Sequence, residues 1–382
     1  MTLRSLTLFL LSFVAGMSAN CLRANDLDDR GKGNVGAVYL MTNQPTNAII
    51  LFDRSREGKL TQRGTFPTGG AGGQSPSGGP LDPLASQGSL LLSDDKRLLF
   101  AVNAACNTIS VMAVVPGGLS QIGVVPSGGL TPVSLTQHRD LLYVLNAGGE
   151  PNIFGFRVTS EGKLAAIPGS MRPLAGGVAA APAQVGFSPD GDLLVVTEKN
   201  SNVIDTYRIN RDGMADGPVS HNSIGLTPFG FAFSRPDTLI VAEAFGGAPA
   251  QAAASSYEVS DAGAVGPVSR SVADHQTAAC WVAASERGRF AYVTNTGTGV
   301  VTGYAISGNG LLRLLNADGV TAKTGDSSNP IDMALTGDLL YVHLNGPNGR
   351  AIVGYRIAPD GSLTQVEKVQ GLPAGAQGIA VR

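Results

Sequence analysis

Tyr292-Val293-Thr294-Asn295, apolar residues that run into a polar residue and then a polar loop, decides the fold, because the chain writes this phrase seven times. The other copies are Tyr39-Leu40-Met41-Thr42-Asn43, Phe100-Ala101-Val102-Asn103, Tyr143-Val144-Leu145-Asn146, Val195-Val196-Thr197-Glu198, Ile240-Val241-Ala242-Glu243 and Tyr341-Val342-His343-Leu344-Asn345. Their first residues are spaced by 61, 43, 52, 45, 52 and 49 positions. Repeats of roughly 40–50 residues made of short strands mark a β-propeller, with one four-stranded blade per repeat. Seven copies predict an all-β, seven-bladed propeller of antiparallel blades, filling residues 35–382 as one domain.

Working outward from the phrase, one blade shows the grammar in full. Gln184-Val185-Gly186-Phe187-Ser188 reads as an inner strand, and Pro189-Asp190-Gly191 as a tight turn whose proline and glycine supply the required φ values. Leu193 to Thr197 is the second strand, Val203 to Ile209 the third, and a fourth lies near Val219. Third-strand endings repeat as Phe156-Arg157-Val158, Tyr207-Arg208-Ile209, Tyr304-Ala305-Ile306 and Tyr355-Arg356-Ile357, which places an aromatic between blades. At one end, Ala37 to Thr42 matches a second strand with no first strand before it. At the other, Gln377 to Val381 matches a first strand and then stops. Pairing the two closes the ring and removes two exposed sheet edges.

Two segments break the rhythm. Thr68 to Ser86 is rich in Gly, Pro and Ser, and Gly246 to Ala254 is an Ala/Gly-rich insertion in blade 5. Both join elements on the face where a ligand would enter the channel, so each reads either as a plain loop or as a lid.

Composition agrees with a turn-rich globular ring: 382 residues, 43% hydrophobic, 15% charged, 51 glycines and one tryptophan. A net charge of −2 and no run of Lys or Arg argue against nucleic acid and anionic membrane surfaces as partners. A closed ring of this kind is expected as a monomer. The N-terminus reads as a secretory signal over residues 1–24, with Arg4, the apolar stretch Leu6 to Val14, and small residues Ala15 to Ala19. The mature chain is then expected to begin between Asn20 and Asn25, in the periplasm or medium. Two other readings are a lipoprotein anchored at Cys21, for which Asn20 is a poor preceding residue, and an uncleaved anchor. Cys106 and Cys280 fall in blades 2 and 6, nearly opposite each other, and read as free thiols.

On these repeats the chain resembles the lactonase-type seven-bladed propellers, the group that includes 6-phosphogluconolactonase and carboxymuconate cyclase. The stretch Gln276-Thr277-Ala278-Ala279-Cys280-Trp281, followed by Tyr292 to Gly297, is similar to an exported bacterial subgroup. The resemblance runs from about Val35 to Arg382 and implies lactone hydrolysis. It also implies histidines and arginines just before the inner strands. The equivalent stretches here are Gln87-Gly88, Thr131-Pro132-Val133, Ala183-Gln184, Thr227-Pro228-Phe229, Cys280-Trp281, Asn329-Pro330-Ile331 and Gln377-Gly378, with neither residue type among them. A phosphorylated lactone would need such groups on its phosphate, so that substrate is not carried over.

Opening a lactone needs a base or a metal for water and a donor for the developing oxyanion. The residues that end the second strands, Asn43, Asn103, Asn146, Glu198, Glu243, Asn295 and Asn345, are expected to ring the channel mouth. Asparagine there also caps its own turn. Only blades 4 and 5 carry glutamate, so Glu198 and Glu243 are the candidate catalytic pair, able to share a divalent cation or to divide acid and base roles. Lys199 is the competing partner of Glu198. His343, at the end of a second strand, is the third catalytic candidate, and Asn103, Asn146, Trp281, Asn295 and Arg350 are the candidate substrate contacts. Trp281 reads as a stacking platform or as inter-blade core. His275 could also reach the mouth, whereas His138 and His221 read as surface residues. No metal-ligand spacing, Gly-x-Ser-x-Gly, Walker loop or dinucleotide fingerprint appears. Two functions follow: an exported lactonase-like hydrolase acting on a lactone or related carbohydrate, or a non-catalytic propeller binding an envelope protein or glycan.

Overall fold

The computed structural model describes residues 35–382, so the signal segment, Cys21 and the cleavage region lie outside the described residues. Among the described residues, the strands form seven antiparallel sheets, six of them ordered from inner to outer strand as the chain runs. Six blades are continuous in sequence. Their inner strands are Leu90–Leu92, Leu130–His138, Pro182–Phe187, Pro228–Arg235, Ala279–Ala284 and Pro330–Thr336. The remaining blade, blade 1, takes its inner strand Ile379–Val381 from the C-terminus, pairing Leu40 with Ile379 and Val38 with Val381. The expected ring closure is therefore present. In blades 3 and 6 the outer strand is broken into two short pieces.

The repeated phrase is buried because each second strand has sheet on both sides and neighbouring blades on both faces. Tyr39, Phe100, Tyr143, Tyr292 and Tyr341 are fully buried. Three of these tyrosines make the same bond at equivalent positions. Tyr143 donates to the Gly213 carbonyl at 2.7 Å, Tyr292 to Gly361 at 2.8 Å and Tyr341 to Gly58 at 2.9 Å. Each acceptor is the turn glycine between the third and fourth strands of the next blade, held at φ 79–90° where a side chain would be strained. A hydroxyl that finds a partner when buried lets one residue both fill the blade interface and fix its register.

Inner strands are sheet edges facing the channel, and their backbone groups must find partners. Side chains of adjacent blades supply them. The Val185 amide donates to Ser134 Oγ, Phe187 to Thr136 Oγ1, Phe231 to Gln184 Oε1 and Ile379 to Asp332 Oδ2. One such stitch crosses the axis: the Gln87 amide side chain of blade 2 both donates to and accepts from the backbone of Val282 in blade 6. At or just ahead of the start of five inner strands the chain bends through a left-handed residue, Thr131, Ala181, Thr227, Ala278 and Asn329, and Ala85 does so in the connection leading to a sixth. Each such non-glycine bend costs about 1–2 kcal/mol, and it turns the connection down into the channel.

Candidate functional site at the ring axis

The second-strand termini are buried latches, and the structure does not gather them into one site. Glu243 accepts from the Gly225 amide at 2.9 Å and from the hydroxyls of Ser255 and Ser271, all within its own blade. Glu198 accepts from the Gly176 amide and Ser201, and it shares a buried environment with Asp205. Burial raises both carboxyls, and Asp205 raises Glu198 further. The two glutamates have no hydrogen-bond partner in common. Asn103, Asn146 and Asn295 do the same work by donating to Ser110, Asn152 and Thr302 on their own third strands. In blades 2, 3 and 6 the asparagine ties the second strand to its third, and in blades 4 and 5 a carboxylate collects serine hydroxyls and a backbone amide. Asn43 and Asn345 of blades 1 and 7 instead bond the connection at Gly73 and Leu81 and the loop at Gly375.

The remaining candidates also separate. His343 is fully buried, neither ring nitrogen has a partner among the described residues, and burial pushes its pKa down to about 3. It is therefore held neutral inside the blade, away from solvent. Arg350 and His275 are exposed. His138, expected on the surface, packs its ring 5.9 Å from Phe187 of blade 4. His221, also expected on the surface, bonds the Gly263 carbonyl of the next blade at 2.9 Å. Among the described residues, no group of three or more His, Cys, Asp or Glu is placed to hold a metal ion, and Glu198 and Glu243 each turn to hydrogen-bond donors of their own. Cys106 is exposed and Cys280 buried, both free.

What converges instead is a set of residues at the axis, beneath the Gly/Pro/Ser-rich connection. Lys199, which sequence proximity pairs with Glu198, turns inward. Its Nζ donates to the Ala85 carbonyl at 2.5 Å and the Pro182 carbonyl at 3.3 Å, and it stands 4.9 Å from the centre of the Phe229 ring. The Phe229 ring packs 4.9 Å from Trp281, which is fully buried and donates from Nε1 to the Ser86 carbonyl. Trp281 is thus an axial residue, as expected, but covered. Asp82 Oδ1 accepts from the Gln377 side chain at 2.8 Å and the Ala85 amide at 2.9 Å.

Burial sets the electrostatics of this cluster. It pushes the Lys199 ammonium down to about 8, against the pull of Asp82. Although the Asp82 residue is partly exposed, its carboxyl is enclosed, and burial raises it to about 6 against the attraction of Lys199. Asp332, a left-handed residue at φ 63°, is raised to about 7 by burial, while the amides of Met333, Ile379 and Gly378 hold it down and Asp82 pushes it up. Asp332 also lines a cavity of about 330 Å³ along the channel, with Gln87, Gln184, Thr136, Phe231 and Phe233. None of the four ion pairs among the described residues includes Lys199, so its ammonium has carbonyls and a ring as contacts and Asp82 as the neighbouring charge.

Asp82, Lys199 and Asp332 carry no repeat signal, because each departs from the pattern at its own place. The one clue in the sequence is that Asp82 falls inside the insertion that lengthens the first interval.

Neither a protein-family model nor a curated protein matches the chain. Solved structures do. A candidate 6-phosphogluconolactonase from Bacteroides uniformis is 17% identical with a TM-score of 0.67, over 91% of this chain and 99% of that one. A periplasmic gluconolactonase from Pseudomonas aeruginosa is 16% identical with a TM-score of 0.68, over 91% and 98%. A functionally unknown protein from Desulfotomaculum acetoxidans is 15% identical with a TM-score of 0.68, over 91% and 99%. At this identity the likeness is one of fold, and the fold of this chain is that of the lactonase-like seven-bladed β-propellers.

Proposed function

We propose that this chain is an exported lactonase-like propeller that binds and hydrolyses a small hydroxylated lactone at its axis. The observation that carries the reading is a buried ammonium, Lys199, set over the Phe229 ring that packs on Trp281 and feeling the charge of Asp82, which Asp332 feels in turn. Buried ionisable groups cost stability, and the latches elsewhere in the ring do without a buried cation. Clusters with pKa values pushed toward neutrality are the recurring property of acid–base sites. Asp82 couples to both of the others, so the space it fills is flanked by Lys199 and Asp332. With a lactone in that space, Asp332 takes a proton from water as the water oxygen bonds to the carbonyl carbon. Lys199 stabilises the oxyanion; on collapse the ring C–O bond breaks and the leaving oxygen takes the proton that Asp332 removed from water. Phe229 and Trp281 supply apolar faces for the ring. Export rests on the reading of residues 1–24 and accords with the periplasmic description of the Pseudomonas aeruginosa protein.

The test is a panel of aldonolactones, assayed with and without divalent cations, on wild type, Asp332→Asn and Lys199→Met. Each substitution should lower kcat/KM by about 10²-fold or more. Activity should rise with pH through about 7 as Asp332 ionises and fall above about 8 as Lys199 loses its proton. Full activity in both variants rules out the axial assignment. The second reading is a non-catalytic propeller that binds an envelope protein or glycan on its outer surface. It is favoured by the burial of Leu84, Ala85 and Ser86 in the mouth, and it predicts no turnover of any lactone.

A further inference from the structure

Resting on the reading that the axial site takes a ligand, we propose that residues 75–86 are a built-in plug, a stand-in for ligand that swings clear of the site between Gly73 and Gln87. Nearly every polar group aimed at the mouth is satisfied by this one segment. Lys199 donates to the Ala85 carbonyl and Trp281 to Ser86. Gln377 donates to Asp82 and Ser86 and accepts from the Leu84 amide. With the Ser86 hydroxyl, which donates to the Val133 carbonyl, and the Leu81 carbonyl, the segment offers a carboxylate, three carbonyls, a hydroxyl and one N–H to the ring, the groups that a hydroxylated acid or its lactone carries.

The two halves of the connection are attached differently. The first half is pinned to the rim: the Gly72 amide donates to the Gln44 carbonyl, Ala105 to Ala71, and Gly73 to Asn43 Oδ1. A Cβ on Gly72 would lie 2.2 Å from the Asn43 backbone, so this half has no room to slide. The tip is held mainly by itself, through Ser75 to Pro83, Gly78 to Ser75 and Gly79 to Asp82, and its one bond to the rim is from Asn345 to the Leu81 carbonyl. Pro76, Ser77, Pro80 and Leu81 are exposed, and a Cβ on Gly79 would meet nothing. Beyond the tip, Asp82 and Leu84 anchor the plug, Asp82 by the hydrogen bond it accepts from Gln377 and Leu84 by full burial.

Cys280 reports on the plug without any ligand, because it is buried in the same apolar cluster as Ala85, while the exposed Cys106 serves as an internal reference. The experiment measures thiol-reagent labelling of both cysteines in the folded protein, alongside global unfolding in urea. Asp82→Ala removes two hydrogen bonds of the plug and should speed Cys280 labelling about tenfold, with Cys106 unchanged. Leu84→Ala, which weakens the apolar anchor instead, should act in the same direction. Cys280 labelling that tracks global unfolding in both variants, or is no faster than in wild type, overturns the plug. Faster labelling in both variants, with no lactone turned over by the wild type, refutes the catalytic reading and leaves the plug standing.

Discussion

Lys199→Met should make the protein more stable at neutral pH and less stable at high pH, and the two magnitudes follow from the surroundings of the ammonium. An unfolded chain holds the lysine proton until about 10.5, whereas burial in the ring brings the folded value to about 8. One pKa unit corresponds to about 1.4 kcal/mol, so a charged Lys199 at pH 7 costs the native state roughly 3 kcal/mol, the attraction of Asp82 included. Because the folded value lies below the unfolded one, the unfolded chain binds more protons between them. Wild-type stability from this group is therefore lowest below pH 8 and recovers as pH rises to about 10.5. Methionine keeps the length and apolar stem of the side chain, but it leaves the Ala85 and Pro182 carbonyls without this donor, at about 1 kcal/mol each. The variant should thus gain about 1 kcal/mol at pH 7 and lose about 2 kcal/mol near pH 10.5. Urea unfolding of both proteins across this range gives the difference directly, and contributions from groups that do not feel Lys199 cancel. A variant that is less stable at pH 7, or a difference that keeps one sign throughout, would refute the buried-ammonium argument.

Removing residues 377–382 should unfold or severely destabilise the whole ring. It deletes the inner strand of blade 1, the Gln377 side-chain bonds and the Ile379 burial, worth about 1.5–3 kcal/mol alone, and circular dichroism melts would show the loss. Tyr292→Phe should cost about 0.5–1.5 kcal/mol in urea unfolding by removing the bond to Gly361 while keeping the ring that fills the interface. Glu243→Ala should cost about 1–3 kcal/mol, since the Gly225 amide and two serines lose their acceptor; lactone turnover per folded molecule should not change.

The fold was legible because it repeats. The phrase at Tyr292 and its copies combine a buried aromatic with a strand end at regular spacing, and the orphan strand at Ile379 has only one place to pair. The rim candidates were legible as positions but not as roles. A second-strand terminus in a blade points at its own third strand and at the connection above it, so Glu198 and Glu243 meet serines before they can meet each other. Lys199 shows why adjacency in sequence misleads, since successive residues leaving a strand face opposite ways and the residue after Glu198 points to the axis. Asp82 reaches the mouth only through a long connection whose path no local pattern specifies, and Asp332 sits in a bulge that register alone does not announce.

The crossing of Gln87 from blade 2 to blade 6 has a further consequence, one of symmetry. Seven equivalent blades create seven equivalent directions around the axis, and such a centre cannot by itself orient a chiral molecule. A single connection that enters from one side, fills the mouth and ties two distant blades together abolishes that equivalence. Each blade is thereafter distinguishable by what it presents: ammonium from one, carboxyl from another, aromatic faces from two more. In this ring, the direction a ligand can face about the axis is set by the parts of the chain that do not repeat.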